Sequence, residues 1–491
     1  MTSAETPQML LDRASRLREA GRVVEAIDAY QRLLALEPNL PDSWYNLGWL
    51  QRQARRFEDA LASYAEALKR GVAGPEEVHL NRAVIFGDHL ARPVEAEVEL
   101  KAALARNPTY VPALLNLGNL HEDRGERAAA RSAYERALAA EPGNGLALAR
   151  LAGVAEVCAA DDPLVGRLRE ALGDAGTHSA EHADLGFALG RLLDSAGAYD
   201  EAFAAYAEAN EASRASFGPR FRGYDQAAVE GYIDRLIAAF PAPAAQPPQA
   251  EGQSPLFICG MFRSGSTLAE QILARHSGVT PGGELDLLPA LIAAELRPYP
   301  EAPASADEPR LQRLRSAYLE GLHRRHPAGA LVTDKRPDNF LHIGLIKALF
   351  PTAKVVHTIR NPLDNCLAIW FLHLDPGMPY ALDLADTAHW YRQYRRLMAH
   401  WKRLYPNDIF DLDYDALVAD PRPAIRRLLA FCGLEWEEAC LSFHAAANMV
   451  KTASAWQVRE PLYRRSSGRW RNYKRHLGAL REALGGEAQL S

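Results

Sequence analysis

The sequence predicts a helical-repeat superhelix followed by an α/β domain with a central parallel sheet, and three observations carry that expectation. Residues 7 to 216 repeat with a period of 34 residues. From residue 255 onward, short apolar runs of strand length alternate with helical patterns. Between the first such run and the first such helix lies a loop rich in Gly and Ser, Gly260 to Thr267.

The repeat is in register from Pro7, Pro41, Glu77, Val111, Gly145 and Ala183. One position is Ala26, Ala60, Ala96, Ala130, Leu164 and Ala202, and four residues on come Tyr30, Tyr64, Leu100, Tyr134, Leu168 and Tyr206. A small residue where two helices cross, with a ring one turn later, is what a paired-helix repeat requires. Pro38, Pro108 and Pro142 punctuate three unit ends, and Gly48 and Gly118 recur on first helices. The fifth unit is degenerate, with Asp161-Asp162-Pro163 at its turn. Stacked helix pairs either take an extended peptide or partner helix on their concave face or only assemble the protein, for instance as a homodimer. Asn46, Asn81 and Asn116 fit both readings.

Phe217 to Phe240 reads as one or two helices, with Tyr224, Val229, Tyr232, Ile233 and Leu236 in an apolar stripe. Pro241 to Ser254 is rich in Pro, Ala and Gln and reads as a linker. The expected division is therefore a repeat domain at 7–216, a connector at 217–254 and an α/β domain at 255–480.

Composition bounds the function. A chain of 491 residues is long for one core, and 48% apolar with 24% charged residues is a globular balance. A net charge of -6 argues against a bulk nucleic-acid binder. Cys158, Cys259, Cys366, Cys432 and Cys440 form no C-x-x-C pair, which suits a reduced compartment. MTSAETPQMLLDRASRL lacks a basic flank before an apolar core, and no run approaches the roughly 20 apolar residues of a membrane span. A cytoplasmic protein without membrane or nucleic-acid partners is expected.

In the C-terminal part, Pro255 to Cys259 reads as a strand. The helix after the loop places Leu268, Ile272 and Leu273 on one face and stops at Gly278. A strand, a glycine loop and a helix N-terminus make an anion cradle. Against the nucleotide-triphosphatase pattern G-x-x-x-x-G-K-[ST], the segment fits at Gly260, Gly265 and Thr267, but Ser266 replaces the lysine and the cation sits at Arg263. Asp334 and Asp413 are weak magnesium candidates. The loop suits a nucleotide-linked anion gripped by Arg and hydroxyls with no metal; a plain glycine turn is the alternative.

A proline-interrupted helical region, Leu285 to Arg324, follows. Further strands are expected at Ala328 to Thr333, Lys354 to Ile359 and Asp408 to Leu412, with helices at Asn339 to Phe350, Trp390 to Leu404 and Arg422 to Cys432. Ligands of parallel sheets sit beyond the strands' carboxyl ends, where Arg263, Lys335 and Arg360 fall. Three cations crowded there are costly unless an anion neutralises them, and a multiply anionic nucleotide is the simplest explanation.

These residues carry a resemblance. Residues 7 to 216 resemble the tetratricopeptide repeat. Residues 255 to about 475 resemble sulfotransferases using 3′-phosphoadenosine 5′-phosphosulfate (PAPS), most of all tyrosylprotein sulfotransferases. The whole chain resembles bacterial fusions of the two, and the second part is expected to be a P-loop-like α/β sulfotransferase domain.

The family's P-R-S-G-T-T loop matches Phe262-Arg263-Ser264-Gly265-Ser266-Thr267, which implies 5′-phosphosulfate binding by Arg263, Ser264, Gly265, Ser266 and Thr267. Its G-G-E stretch matches Gly282-Gly283-Glu284 and implies that Glu284 takes the acceptor's proton, with Asp286 as a competitor. Its N-K-x-P matches Asp334-Lys335-Arg336-Pro337 and implies that Lys335 meets charge at the leaving phosphate. Arg360 matches the 3′-phosphate arginine, but the serine expected eight residues later is Ala368, with Asn365 or water as replacement. Y-x-x-L-V-x-x-P matches Tyr414 to Pro421 and implies that Tyr414 lies at the nucleotide. S-x-x-Q-V-x-x-P matches Ser454 to Pro461, implying donor contacts from Ser454, Gln457 and Val458, with Ser454 assisting Lys335. Tyr463, Arg464 and Arg469, the last before Trp470, complete the implied donor site.

The resemblance implies sulfuryl transfer from PAPS, without a metal, to an acceptor hydroxyl, foremost a protein tyrosine presented by the repeats. The alternatives are a carbohydrate or small-molecule sulfotransferase, or an inactive repeat-based binding scaffold. A metal-dependent kinase is disfavoured by Ser266.

Overall fold

A computed structural model describes residues 5–90, 92–156, 159–174, 179–219, 221–244, 254–326, 331–445 and 466–486. The chain divides into two compact units, residues 1–155 and 156–491.

The first unit is a stack of helix pairs. They are α1 (Pro7–Glu19) with α2 (Val23–Leu36), α3 (Pro41–Gln53) with α4 (Phe57–Lys69), α5 (Pro75–Val84) with α6 (Pro93–Arg106), and α7 (Val111–Arg124) with α8 (Arg127–Ala140), followed by α9 (Gly145–Val154). Proline in the first turn opens α1, α3, α5, α6 and α7, where its missing N–H would have no intrahelical acceptor anyway. The periodic positions form the core: Ala26, Ala60, Ala96 and Ala130 are buried, as are Tyr30, Tyr64, Leu100 and Tyr134. Gly48 and Gly118 are required by those rings. A Cβ at either would lie 2.9 Å from the Tyr64 ring or 2.2 Å from the Tyr134 ring, so each ring rests directly on the backbone of the preceding helix.

The second unit begins with α10 (Pro163–Gly173), α11 (Ser179–Ser195), α12 (Tyr199–Ser216) and α13 (Gln226–Ala239). The sheet region follows as β1 (Leu256–Gly260), α14 (Ser266–Leu273), β2 (Val279–Thr280), α15 (Leu287–Glu295), α16 (Glu301–Ala304), α17 (Glu308–His323), β3 (Leu331–Lys335), α18 (Ile343–Leu349), β4 (Val355–Ile359), α19 (Pro362–Trp370), α20 (Leu384–Leu404), β5 (Ile409–Asp413), α21 (Tyr414–Ala419), α22 (Pro421–Cys432) and α23 (Gly478–Ala483). The strands pair in parallel in the order β2-β3-β1-β4-β5. Apolar residues of β1, β4 and β5 pack with α14 and α22 in one core around Ile258, Ile272, Val356, Leu412 and Leu428. The four expected strands are present; β2, α19 and α21 are additional. Lys335 closes β3 itself, whereas the sequence placed it in the loop beyond the strand.

The compact division falls inside the repeat region, not at residue 216. The α11–α12 pair keeps the repeat's packing, since a Cβ on Gly190 would meet the Tyr206 ring at 2.8 Å. Its other side lies on the sheet domain. Tyr206 stacks on Phe371 at 4.1 Å, Phe203 meets Trp370 at 4.8 Å, and Asn210 donates to the Trp370 carbonyl at 3.0 Å. The stretch read as connector also packs there: Tyr224 meets His389 at 2.9 Å, and His400 meets the Phe240 carbonyl at 2.8 Å. The linker read at 241–254 lies mostly outside the described residues. Among the described residues no helix is long and apolar enough to cross a membrane, and Cys259, Cys366, Cys432 and Cys440 are free thiols.

This packing makes a direct prediction. A fragment of residues 156–491 should melt cooperatively, whereas 217–491, which uncovers Trp370 and Phe371, should aggregate or lose the transition in calorimetry. Equal stability of the two fragments would show that α11 and α12 are dispensable to the domain.

Candidate functional site

The cradle is built by the turn from β1 into α14. Gly260 permits close contact with β4: a Cβ there would lie 2.5 Å from both the carbonyl and hydroxyl oxygens of Thr358. Gly265 has φ +107 and a Cβ there would meet Tyr414 at 2.9 Å, so the ring leans on the bare backbone. Arg263 also adopts positive φ, +65, a costly conformation for a residue with a side chain. Three consecutive loop carbonyls are engaged. Met261 accepts from the Ser264 amide at 3.0 Å, Phe262 from Asn365 at 2.7 Å and Arg263 from Arg360 at 3.2 Å. A glycine turn of this shape running into a helix N-terminus suits an anion.

Ser264 is buried and hydrogen-bonded to the Thr358 hydroxyl at 2.7 Å, which ties the loop to β4. Ser266 and Thr267 open α14 and are buried. Arg360, just past β4, reaches back over the Tyr414 ring at 4.9 Å, and its guanidinium also donates to the Ser466 carbonyl. Tyr414 opens α21 behind the Asp413 cap, whose carboxylate accepts from the Ala416 amide at 2.9 Å. Asn365 donates its side-chain amide to the Phe262 carbonyl at 2.7 Å, beside the loop.

A second group stands at the carboxyl end of β3. In register, Lys335 is level with Ile258, two residues short of the cradle's Gly260. Its ammonium is 2.7 Å from Glu284 Oε1; the lysine side chain is 1% exposed and the glutamate 40%. Asp286, the alternative acid, pairs with the exposed Arg325 at 2.9 Å. Asp334 turns to the opposite face of β3, where Tyr318 donates to it at 2.6 Å and Asn339 at 3.1 Å. Burial pushes its carboxyl up to about 6 against those two hydrogen bonds.

Glu270, on the second turn of α14, went unnoticed in the sequence. It is 4% exposed and its Oε1 accepts from the Gly283 amide at 2.9 Å and the Thr333 hydroxyl at 2.7 Å. Burial raises its carboxyl, while the nearby Lys335 ammonium and these two donors pull it down. An acid in a helix buried on every side would have pointed to it, but the Leu268, Ile272, Leu273 stripe suggested only one buried face.

Arg469 is not brought to the cradle. Its guanidinium pairs with Asp194 of α11 at 2.6 Å and lies over Phe371 at 4.7 Å. The surrounding segment is a strap: the Gly468 and Trp470 amides donate to Asp364 at 2.6 and 2.7 Å, Ser467 to Asp415 at 2.5 Å, and Tyr473 to Asp194. Ser454, Gln457, Val458, Tyr463 and Arg464 lie outside the described residues.

Comparison with known proteins agrees with this organisation. Residues 255–438 match the model of the Sulfotransferase family, and residues 9–86 and 113–148 match Tetratricopeptide repeat models. The chain carries tetratricopeptide repeats and a sulfotransferase-family domain. An uncharacterized protein of Aquifex aeolicus (strain VF5) is 32% identical over 456 residues, 90% of this chain; the chain spans 58% of that protein's length. A Caenorhabditis briggsae protein that carries the provisional name protein-tyrosine sulfotransferase is 24% identical over 197 residues, 38% of this chain and 69% of its own. The solved sulfotransferase domain of the Synechococcus PCC 7002 olefin synthase aligns with 46% of this chain and 90% of its own at 22% identity and a TM-score of 0.36.

The Asp334 environment predicts a pH effect. A carboxyl raised from 3.8 to about 6 binds its proton more tightly in the native state than in the unfolded chain. Its contribution is therefore most favourable below the lower value and is lost as pH rises through the upper one. Asp334→Asn, which cannot ionise, should flatten that part of the Tm-against-pH curve; an unchanged slope would assign the dependence to other groups.

Proposed function

From a sulfotransferase-family domain at residues 255–438, we propose that this chain moves a sulfuryl group from PAPS to an acceptor hydroxyl, specifically that of a protein tyrosine. The observation that carries the reading is the Lys335–Glu284 pair, 2.7 Å apart at the carboxyl end of the strand beside the cradle. The residues present fit the donor. Arg263, Ser266, Thr267 and the loop amides suit a phosphosulfate, and Arg360 keeps a buried Nε without a hydrogen-bond partner among the described residues, a donor that an anion can satisfy. Tyr414 offers a ring beside it.

When bound, PAPS supplies a sulfur–oxygen bond whose cleavage passes the sulfuryl group to the acceptor oxygen and releases adenosine 3′,5′-bisphosphate. Glu284 takes the proton from the attacking hydroxyl. Lys335, with three donors on one nitrogen, can hold Glu284 and still meet negative charge on the oxygen that departs with phosphate. Half-exposure suits Glu284, which must reach a substrate from solution, and burial suits Lys335, whose charge acts more strongly away from water. The tyrosine acceptor is supported by the Caenorhabditis relative's name. The repeats of the first unit would present the acceptor protein.

Titration calorimetry with adenosine 3′,5′-bisphosphate should show submillimolar binding, weakened about tenfold or more in Arg263→Ala and Arg360→Ala, since each loses charge-assisted hydrogen bonds. Glu284→Gln and Lys335→Met should retain binding while turnover drops on the order of 100-fold or more. Absence of binding by the wild-type protein would remove the enzyme reading. Labelled PAPS offered with tyrosine peptides, glycans and small phenols should label the peptides; label in the glycan pool alone would overturn the acceptor and leave the donor.

A further inference from the structure

Three chain segments must meet for the proposed chemistry: the cradle helix α14, the Pro281–Glu284 turn and the end of β3. One buried side chain touches all three. Glu270 projects from α14, and a single oxygen of its carboxylate accepts from the Gly283 amide, adjacent to Glu284, and from the Thr333 hydroxyl, two residues before Lys335. Thr333 in turn accepts from the Gly282 amide at 3.0 Å, and the Lys335 amide donates to the Gly283 carbonyl at 2.9 Å. The turn is thus sewn onto β3 along its length, with Glu270 as the knot.

We propose that Glu270 is the positioning residue of the site, fixing the Gly282–Gly283 turn so that the Glu284 carboxylate meets the Lys335 ammonium at a set place relative to the cradle. This rests on the sulfuryl-transfer reading for its kinetic consequence but not for its structural one. Glu270 does not touch the reacting atoms in this scheme. Its effect passes through two hydrogen bonds to backbone and hydroxyl donors, and both require an acceptor oxygen, not a negative charge. Glutamine supplies that acceptor and alanine does not, so the two substitutions separate positioning from electrostatics.

The test is hydrogen exchange on the ligand-free full chain, followed by mass spectrometry of peptides covering residues 279–286, together with turnover and adenosine 3′,5′-bisphosphate binding. Glu270→Ala should speed exchange of the Gly283 amide by about tenfold or more, the loss of one ordinary hydrogen bond. It should lower kcat by about 100-fold, as small misplacements of catalytic groups do, with binding of the bisphosphate changed less than about threefold. Glu270→Gln should restore exchange and kcat to within about threefold of wild type.

Wild-type exchange in Glu270→Ala, or a Glu270→Gln variant as impaired as Glu270→Ala, would overturn the proposal. So would loss of bisphosphate binding in step with kcat, which would make Glu270 a support for the whole helix. If Glu270→Ala does not fold, Thr333→Val removes the hydroxyl between Glu270 and Gly282 at nearly constant volume; it should speed Gly282 exchange and lower kcat, and wild-type behaviour would refute the role. Because exchange is read without substrate, failure of every acceptor to take sulfate from wild type would sink the enzyme reading alone.

Discussion

Burial of the Lys335 ammonium is the constraint around which the domain is arranged. A cation at 1% exposure is costly to keep charged unless a partner meets it in fixed geometry. The partner stands on a turn, the kind of segment that ordinarily drifts. That turn is held by backbone proximity. A Cβ at Gly282 would lie 2.1 Å from the Thr333 carbonyl, so the chain lies flat on β3 only with glycine there, and Gly283 at φ +69 takes a conformation that glycine adopts at least cost. The G-G-E motif is therefore a geometric requirement of the lysine as much as a marker of the acid that follows it.

The cradle obeys a related logic with opposite sign. A tight glycine turn at a helix N-terminus suits an anion, and here the shape of the turn is fixed through its carbonyls. Asn365, Arg360 and the Ser264 amide take the three carbonyls from Met261 to Arg263, and the strain of Arg263 at positive φ is sustained by that network. Arg360 is a structural staple and a candidate anion ligand at once, because its guanidinium spans the loop, the Tyr414 ring and the Ser466 carbonyl. The strap is in turn anchored by two backbone amides on Asp364, a carboxyl that burial pushes upward and Arg360 pulls down.

Much of this was legible in the sequence wherever a local rule was sufficient. Periodicity placed the repeat helices, because Ala26, Tyr30 and their counterparts must face inward in every unit. Apolar runs located the four longer strands, and the resemblance of the Gly282-Gly283-Glu284 and Asp334-Lys335-Arg336-Pro337 stretches to family motifs pointed to Glu284 and Lys335, whose side chains lie 2.7 Å apart. What escaped were contacts between residues far apart in the chain. Nothing in the pattern around residue 270 reveals that its carboxylate reaches residues 283 and 333. Likewise Arg469, placed by motif at the donor, faces Asp194, some 275 positions earlier. The two-residue β2 is shorter than any periodicity can register.

The domain boundary shows the same limit. Tyr206 occupies the repeat position of Tyr30, Tyr64 and Tyr134, and in sequence the four are equivalent. Those other rings are fully buried within the helical stack, whereas Tyr206 meets Gly190 on one side and stacks on Phe371 on the other. Phe203, one turn earlier, covers Trp370 and His476. A repeat unit that lends its outer face to a second core ceases to be interchangeable with its neighbours, although its sequence signature persists. Asp194 makes the dependence chemical: a repeat-helix carboxylate holds Arg469 and Tyr473, and these position the strap whose Ser466 carbonyl meets Arg360. Thus α11 and α12 belong to the architecture of the sulfotransferase-family domain, and they connect to Arg360 through the Asp194–Arg469 pair, the strap backbone and the Ser466 carbonyl.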